Sequence, residues 1–84
     1  MKTQNFLLDV EPQYYFYVCN GSVLKNLADL QILLQHIDDG TFSYHVNENK
    51  NDFFNWIKGV IKDESLAKKV GNCRTKEEIL KYVN

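Results

Sequence analysis

A chain of 84 residues allows one domain with one hydrophobic core, and it buries only about 60–65% of the surface that its unfolded form exposes. Its apolar share of 44% and charged share of 25% exclude a disordered or fibrous chain. Ten Lys and Arg against eleven Asp and Glu lack the basic surplus of a dedicated nucleic-acid binder, and no run approaches the ~20 apolar residues of a membrane span.

The charge is unevenly spread. Residues 1–57 carry three Lys and seven acids, whereas residues 58–84 carry seven Lys or Arg and four acids, so the two parts are −4 and +3. Such a contrast suits head-to-tail contact or an anionic partner, and equally a solvated helix face. Cys19 and Cys73 form no CxxC pattern, and the N-terminus has no apolar stretch long enough for a signal peptide. The expectation is a reducing cytoplasm with free thiols, although spacing does not decide whether the two Cα atoms lie close enough to bridge.

Residues 1–13 read as an N-terminal extension that ends at Glu11-Pro12, a break before the first regular element, and residues 14–84 read as one globular domain. Within the extension Phe6, Leu7 and Leu8 need apolar cover. Tyr14 to Cys19 is aromatic and β-branched, which predicts a strand. Asn20-Gly21 suits the positive φ angles of a type I′ turn, with a return strand at about residues 22–24. Two strands alone are marginal in water, so helices must cover the ribbon.

Asn26 is placed to cap a helix over residues 27–37, whose Leu27, Leu30, Leu34 and Ile37 fall on one stripe that Leu33 widens. Asp38-Asp39-Gly40 ends it, and Thr41 is the expected cap of a short second helix reaching Tyr44, His45 and Val46. Asn51 caps a third, with Asp52 in its first turn against the positive end of the dipole. Phe53, Trp56, Ile57, Val60 and Ile61 repeat as a buried face, leaving Phe54 pointing elsewhere and exposed. Asp63 caps a fourth helix that Gly71-Asn72 stops, and Thr75-Lys76-Glu77-Glu78 is a capping box opening a fifth. The expected fold is therefore α+β and mostly helical, a short aromatic β-hairpin packed on four or five short helices. Phe16, Leu27, Leu30, Leu34, Phe53, Trp56, Ile57 and Val60 are its expected core.

The densest polar constellation is Tyr44-His45-Val46-Asn47 followed by Asn51-Asp52 and Trp56. His45 oriented by Asp52 is the minimum for general acid–base work in a small hydrolase, with Asn47 or Asn51 donating to a bound group. Capping by Asn51, dipole pairing by Asp52 and loop-fastening by His45 explain the same residues without chemistry. Cys19, His36, His45 and Cys73 lack the paired spacing of a zinc site, so no metal is expected. The four glycines, at 21, 40, 59 and 71, form no phosphate loop, and no cofactor is expected either.

Tyr14, Tyr15 and Tyr17 could stack the bases of a single-stranded nucleic acid, with Lys58, Lys62, Lys68 and Lys69 on its phosphates, but the acidic first part opposes this. A non-catalytic protein-interaction or assembly module accounts for more. The free edge of an aromatic ribbon can accept a strand from a partner or a second copy, and Tyr15, Tyr17 and Phe54 would meet it. The bland alternative is that residues 1–12 fold back and cover that edge.

Phe16-Tyr17-Val18-Cys19-Asn20-Gly21, Leu27-Ala28-Asp29-Leu30, Phe42-Ser43-Tyr44-His45-Val46-Asn47 and Asn51-Asp52-Phe53-Phe54-Asn55-Trp56-Ile57 together resemble a small prokaryotic domain family of unknown function. Its signature combines Phe-x-x-His-Val-Asn with Asn-Asp-Phe-x-x-Trp-Ile. The resemblance covers roughly residues 14–70, implies a standalone or appended domain, and carries no activity or cofactor with it.

Overall fold

In the computed structural model, which describes residues 6–83, the hairpin is shorter than the aromatic run that encodes it. Strand β1 is Phe16–Tyr17 and strand β2 is Val23–Leu24, antiparallel, with Phe16 opposite Leu24 and Tyr17 opposite Val23. The extended reading of Tyr14–Cys19 is thus corrected at its start. Pro12–Tyr14 forms a 3-10 turn, closed by the Tyr14 N–H on the Glu11 carbonyl at 2.8 Å, because proline's fixed φ suits the first position of such a turn. The connection also differs from the expected two-residue type I′ turn. Val18 N–H donates to Ser22 O and Gly21 N–H to Val18 O, which makes a three-residue loop of Cys19, Asn20 and Gly21. Within this loop only Gly21 takes a positive φ, +96°, at the position where a G1 bulge requires it.

Five helices follow, each opened by a side chain that accepts the N–H three residues on. Helix α1 is Leu27–His36, with Asn26 accepting from Asp29. Helix α2 is Asp39–His45, and its cap is Asp38, accepting from Thr41, instead of Thr41 itself. Aspartate reaches the N3 amide and also takes the Thr41 hydroxyl at 2.6 Å, so the helix starts three residues earlier than expected. Helix α3 is Asp52–Trp56 behind Asn51, α4 is Glu64–Gly71 behind Asp63, and α5 is Lys76–Leu80 behind the Thr75–Glu78 capping box.

Helix α3 runs without a break into a π-helical turn, Ile57–Ile61, closed by the Lys62 N–H on Ile57 O at 2.7 Å. Lys62 ends it at φ 63°, ψ 34°, in the left-handed region. Nothing in the apolar spacing marks this wide turn. It rotates the following residues, so that Ile61 is buried while Val60 is half-buried at the margin of the core where a core residue was expected.

Leu24, Leu27, Leu30, Leu34, Phe53, Ile57, Val70, Ile79 and Val83 are the most completely buried side chains. Phe16 is half-buried, also less than expected, and its ring joins the ribbon to the helices. It stacks on Phe53 at 5.2 Å and meets Trp56 edge-on at 5.9 Å. Residues 1–5 lie outside the described part, but Phe6 is buried, its carbonyl accepts the Ala28 N–H at 3.0 Å, and Val10 packs against the core. The segment from Phe6 to Glu11 is therefore laid onto the domain instead of extending from it. Among the described residues, no helix is long and apolar enough to cross a membrane.

Candidate functional site

The polar constellation around His45 is assembled by the ends of two helices and the loop between them. His45 is the last residue of α2, and Asp52 the first of α3. The loop folds back through Asn47 N–H on Lys50 O and a bridge between Val46 and Asn51, which brings the two side chains together. His45 Nδ1 lies 2.9 Å from Asp52 Oδ2, and Lys50 Nζ lies 3.0 Å from the same oxygen. On the other side of the ring, the Cys19 backbone N–H donates to His45 Nε2 at 3.1 Å. That bond fixes the tautomer: Nε2 is the acceptor, so Nδ1 carries the hydrogen and donates to Asp52.

The imidazole is 4% exposed and packed among Phe16, Phe53 and Tyr44. Both ring nitrogens are committed within the fold, which leaves neither to take a proton from a substrate. Burial is the largest single influence on the Asp52 carboxyl and raises it. The hydrogen bonds from His45 and Lys50, with the charge of Lys50, together outweigh burial and hold the group below the usual 3.8. An acid–base pair open to a ligand, and His45 as a binding residue, are not what this geometry provides. The pair instead ties the hairpin to the α2–α3 junction.

The other expected site residues disperse. Asn51 does cap α3 through Phe54 N–H at 3.0 Å, but its Nδ2 also donates to Val70 O at 3.1 Å, linking α3 to the end of α4. Asn47 closes its own loop, accepting from Asn49 N–H and donating to Ser43 O. Phe54 is half-buried instead of exposed, because its ring packs against Gly71; a Cβ there would stand 2.8 Å from the ring. Tyr15 is half-buried, with Lys25 Nζ 6.0 Å from its centroid.

Tyr17 is the expected aromatic site residue left open, at 67% exposure. It faces Val23 across the ribbon, and these two make the outer face while Phe16 and Leu24 make the inner one. Since Val18 and Ser22 form a hydrogen-bonded pair, Tyr17 and Val23 are the non-bonded pair, and their backbone groups point away from each other. The rest of the rim is occupied. Cys19 N–H is on His45, Trp56 Nε1–H donates to Tyr14 O at 2.8 Å, and Val10 N–H donates to Lys25 O at 2.8 Å beyond β2. Tyr44 of α2, named in the constellation but not among the expected site residues, is also exposed. Its exposed ring meets His45 edge-on at 5.0 Å and carries Lys50 Nζ at 4.5 Å from its centroid. Its position one residue before His45, on the outward side of a buried histidine, was the available signal.

The tyrosines and lysines named for nucleic acid are divided between two grooves and the surface around them. Tyr14 and Lys62 line one groove, together with Asp9 and Glu11, while Lys58 and Lys68 line another. Among the described residues, no group of three or more His, Cys, Asp or Glu is arranged to hold a metal ion. No family model matches the chain, and neither the curated proteins nor the solved structures include one that matches it.

Proposed function

We propose that this chain is a non-catalytic protein-interaction module whose contact face is the outer side of the hairpin, formed by Tyr17, Val23 and Tyr44. The observation that carries the reading is the exposure of these three side chains, 67%, 38% and 58%: Tyr17 and Val23 are paired on the outer side of the hairpin, and Tyr44 lies against the histidine that accepts the Cys19 N–H of its turn. Rigid aromatics lose little conformational freedom on binding and have large apolar surfaces with a polar tip, which is why they concentrate at protein interfaces. Recognition is by this face more than by strand addition, because each edge has one residue with outward backbone groups, too few for a ladder.

Every residue of the His-Val-Asn and Asn-Asp-Phe-x-x-Trp-Ile signature considered above has a task within the fold, in keeping with a signature that specifies a scaffold. We place the module in the cytoplasm, where the exposed Cys19 and buried Cys73 stay as free thiols. The test is a photo-crosslinking side chain at position 17, with position 77 as the exposed control, in cells that make the protein. A discrete protein adduct from 17 and none from 77 is expected. Equal labelling at both positions, or adducts to nucleic acid, would refute the reading.

A further inference from the structure

Away from the hairpin, two surfaces of opposite character flank the π-helical turn. One is a ridge, Leu7 to Glu11. Leu7 and Leu8 are 75% and 64% exposed, and Asp9 and Glu11 follow them on the surface. The other is a groove of about 480 Å³ between the turn and α4. Phe54 and Ala67 form its floor, and Lys58, Lys68, Glu64 and Ser65 its rim. Lys58 Nζ leans to 5.7 Å from the Phe54 centroid. Among the described residues no ion pair joins Lys58, Lys68, Asp9 or Glu11 to another described residue.

The groove calls for an apolar side chain followed by carboxylates, and the ridge has that order of groups, Leu-Leu-Asp-Val-Glu. Within one molecule the ridge cannot fill the groove. Val10 N–H is bound to Lys25 O, Asp9 Oδ1 accepts from Asn26 Nδ2 at 2.7 Å, and Leu8 lines a different groove, with Gly59–Lys62.

We infer that the groove takes the ridge of a second copy of this chain, giving a dimer held by leucine on phenylalanine and by Asp9 and Glu11 against Lys58 and Lys68. Because ridge and groove flank one turn, a two-fold axis beside that turn lets each copy fill the other, an isologous contact that closes without forming a fibre. The face is separate from Tyr17, Val23 and Tyr44, so self-association leaves the proposed partner surface open.

Sedimentation equilibrium over a wide range of protein concentration, at low and high salt, tests this. The wild-type chain is expected to pass from monomer to dimer, with weaker association as salt rises. Lys58→Glu/Lys68→Glu and Asp9→Lys/Glu11→Lys should each be monomeric alone, and their mixture should recover a one-to-one dimer by charge exchange. Should the Asp9 change unfold the chain through Asn26, Leu7→Ser/Leu8→Ser removes the apolar half of the contact without touching that bond and should also leave a monomer. A wild-type chain that stays monomeric at every concentration and low salt overturns the inference. So does a dimer that survives both Lys58→Glu/Lys68→Glu and Leu7→Ser/Leu8→Ser.

Discussion

Replacing His45 by phenylalanine separates its two contributions, because the ring is kept and both hydrogen bonds are lost. The Cys19 N–H would stand in a partly buried position without an acceptor, a loss of about 1–3 kcal/mol. Asp52 keeps Lys50 but loses its second donor, about a further 1 kcal/mol. The expected total is roughly 2–4 kcal/mol, against a folding free energy of roughly 4–13 kcal/mol for a domain of this length. With a urea dependence near 1–1.5 kcal/mol/M, the unfolding midpoint should fall by about 2 M. Trp56, which reaches across to Tyr14 O, is the natural fluorescent reporter. His45→Ala should be worse by about 1–2 kcal/mol, since it also empties a site 4% exposed. A midpoint shift below about 0.5 M for His45→Phe would refute the account of His45 as the tie between hairpin and helices.

Three further outcomes are expected. Asn51→Asp keeps an acceptor for the α3 cap but loses the donor to Val70 O, so thermal unfolding should show a loss of about 1–3 kcal/mol, where a pure capping role predicts almost none. Gly71→Ala should cost about 1–3 kcal/mol by displacing the Phe54 ring; a neutral or stabilising result would mean that the ring moves freely. Asp52 has a lowered folded-state value, so its contribution is complete above the ordinary 3.8 and declines as pH falls through that lowered value. Asp52→Asn should therefore flatten the dependence of melting temperature on pH below about pH 5, and an unchanged slope there would contradict the assignment.

Much of the helical part of this fold was legible from local chemistry. Asn26, Asn51, Asp63 and the Thr75–Glu78 box each act where a short polar side chain precedes an apolar period, because capping is settled within four residues. What escaped the sequence depends on distant partners. The strand reading of Tyr14 fails because Pro12 starts a 3-10 turn and the indole of Trp56, 42 residues on, takes the Tyr14 carbonyl. Phe54 looked exposed because helical spacing says nothing of a glycine on a neighbouring helix that lets a ring pack close. The His45–Asp52 contact was visible in a seven-residue spacing, but its meaning was not. The amide that occupies the second ring nitrogen comes from Cys19, on another element, and it turns a catalytic arrangement into a structural one.

The wide turn after Trp56 has a consequence for comparing this chain with others. A bond from Lys62 back to Ile57 spans one residue more than an ordinary helical turn does, so the surplus lies inside regular structure and not in a loop. Excising one position between 57 and 62 would let the helix close normally, with the flanking segments keeping their caps and partners. In homologous sequences, the length difference to look for is therefore a single-residue gap in the middle of what reads as uninterrupted helix.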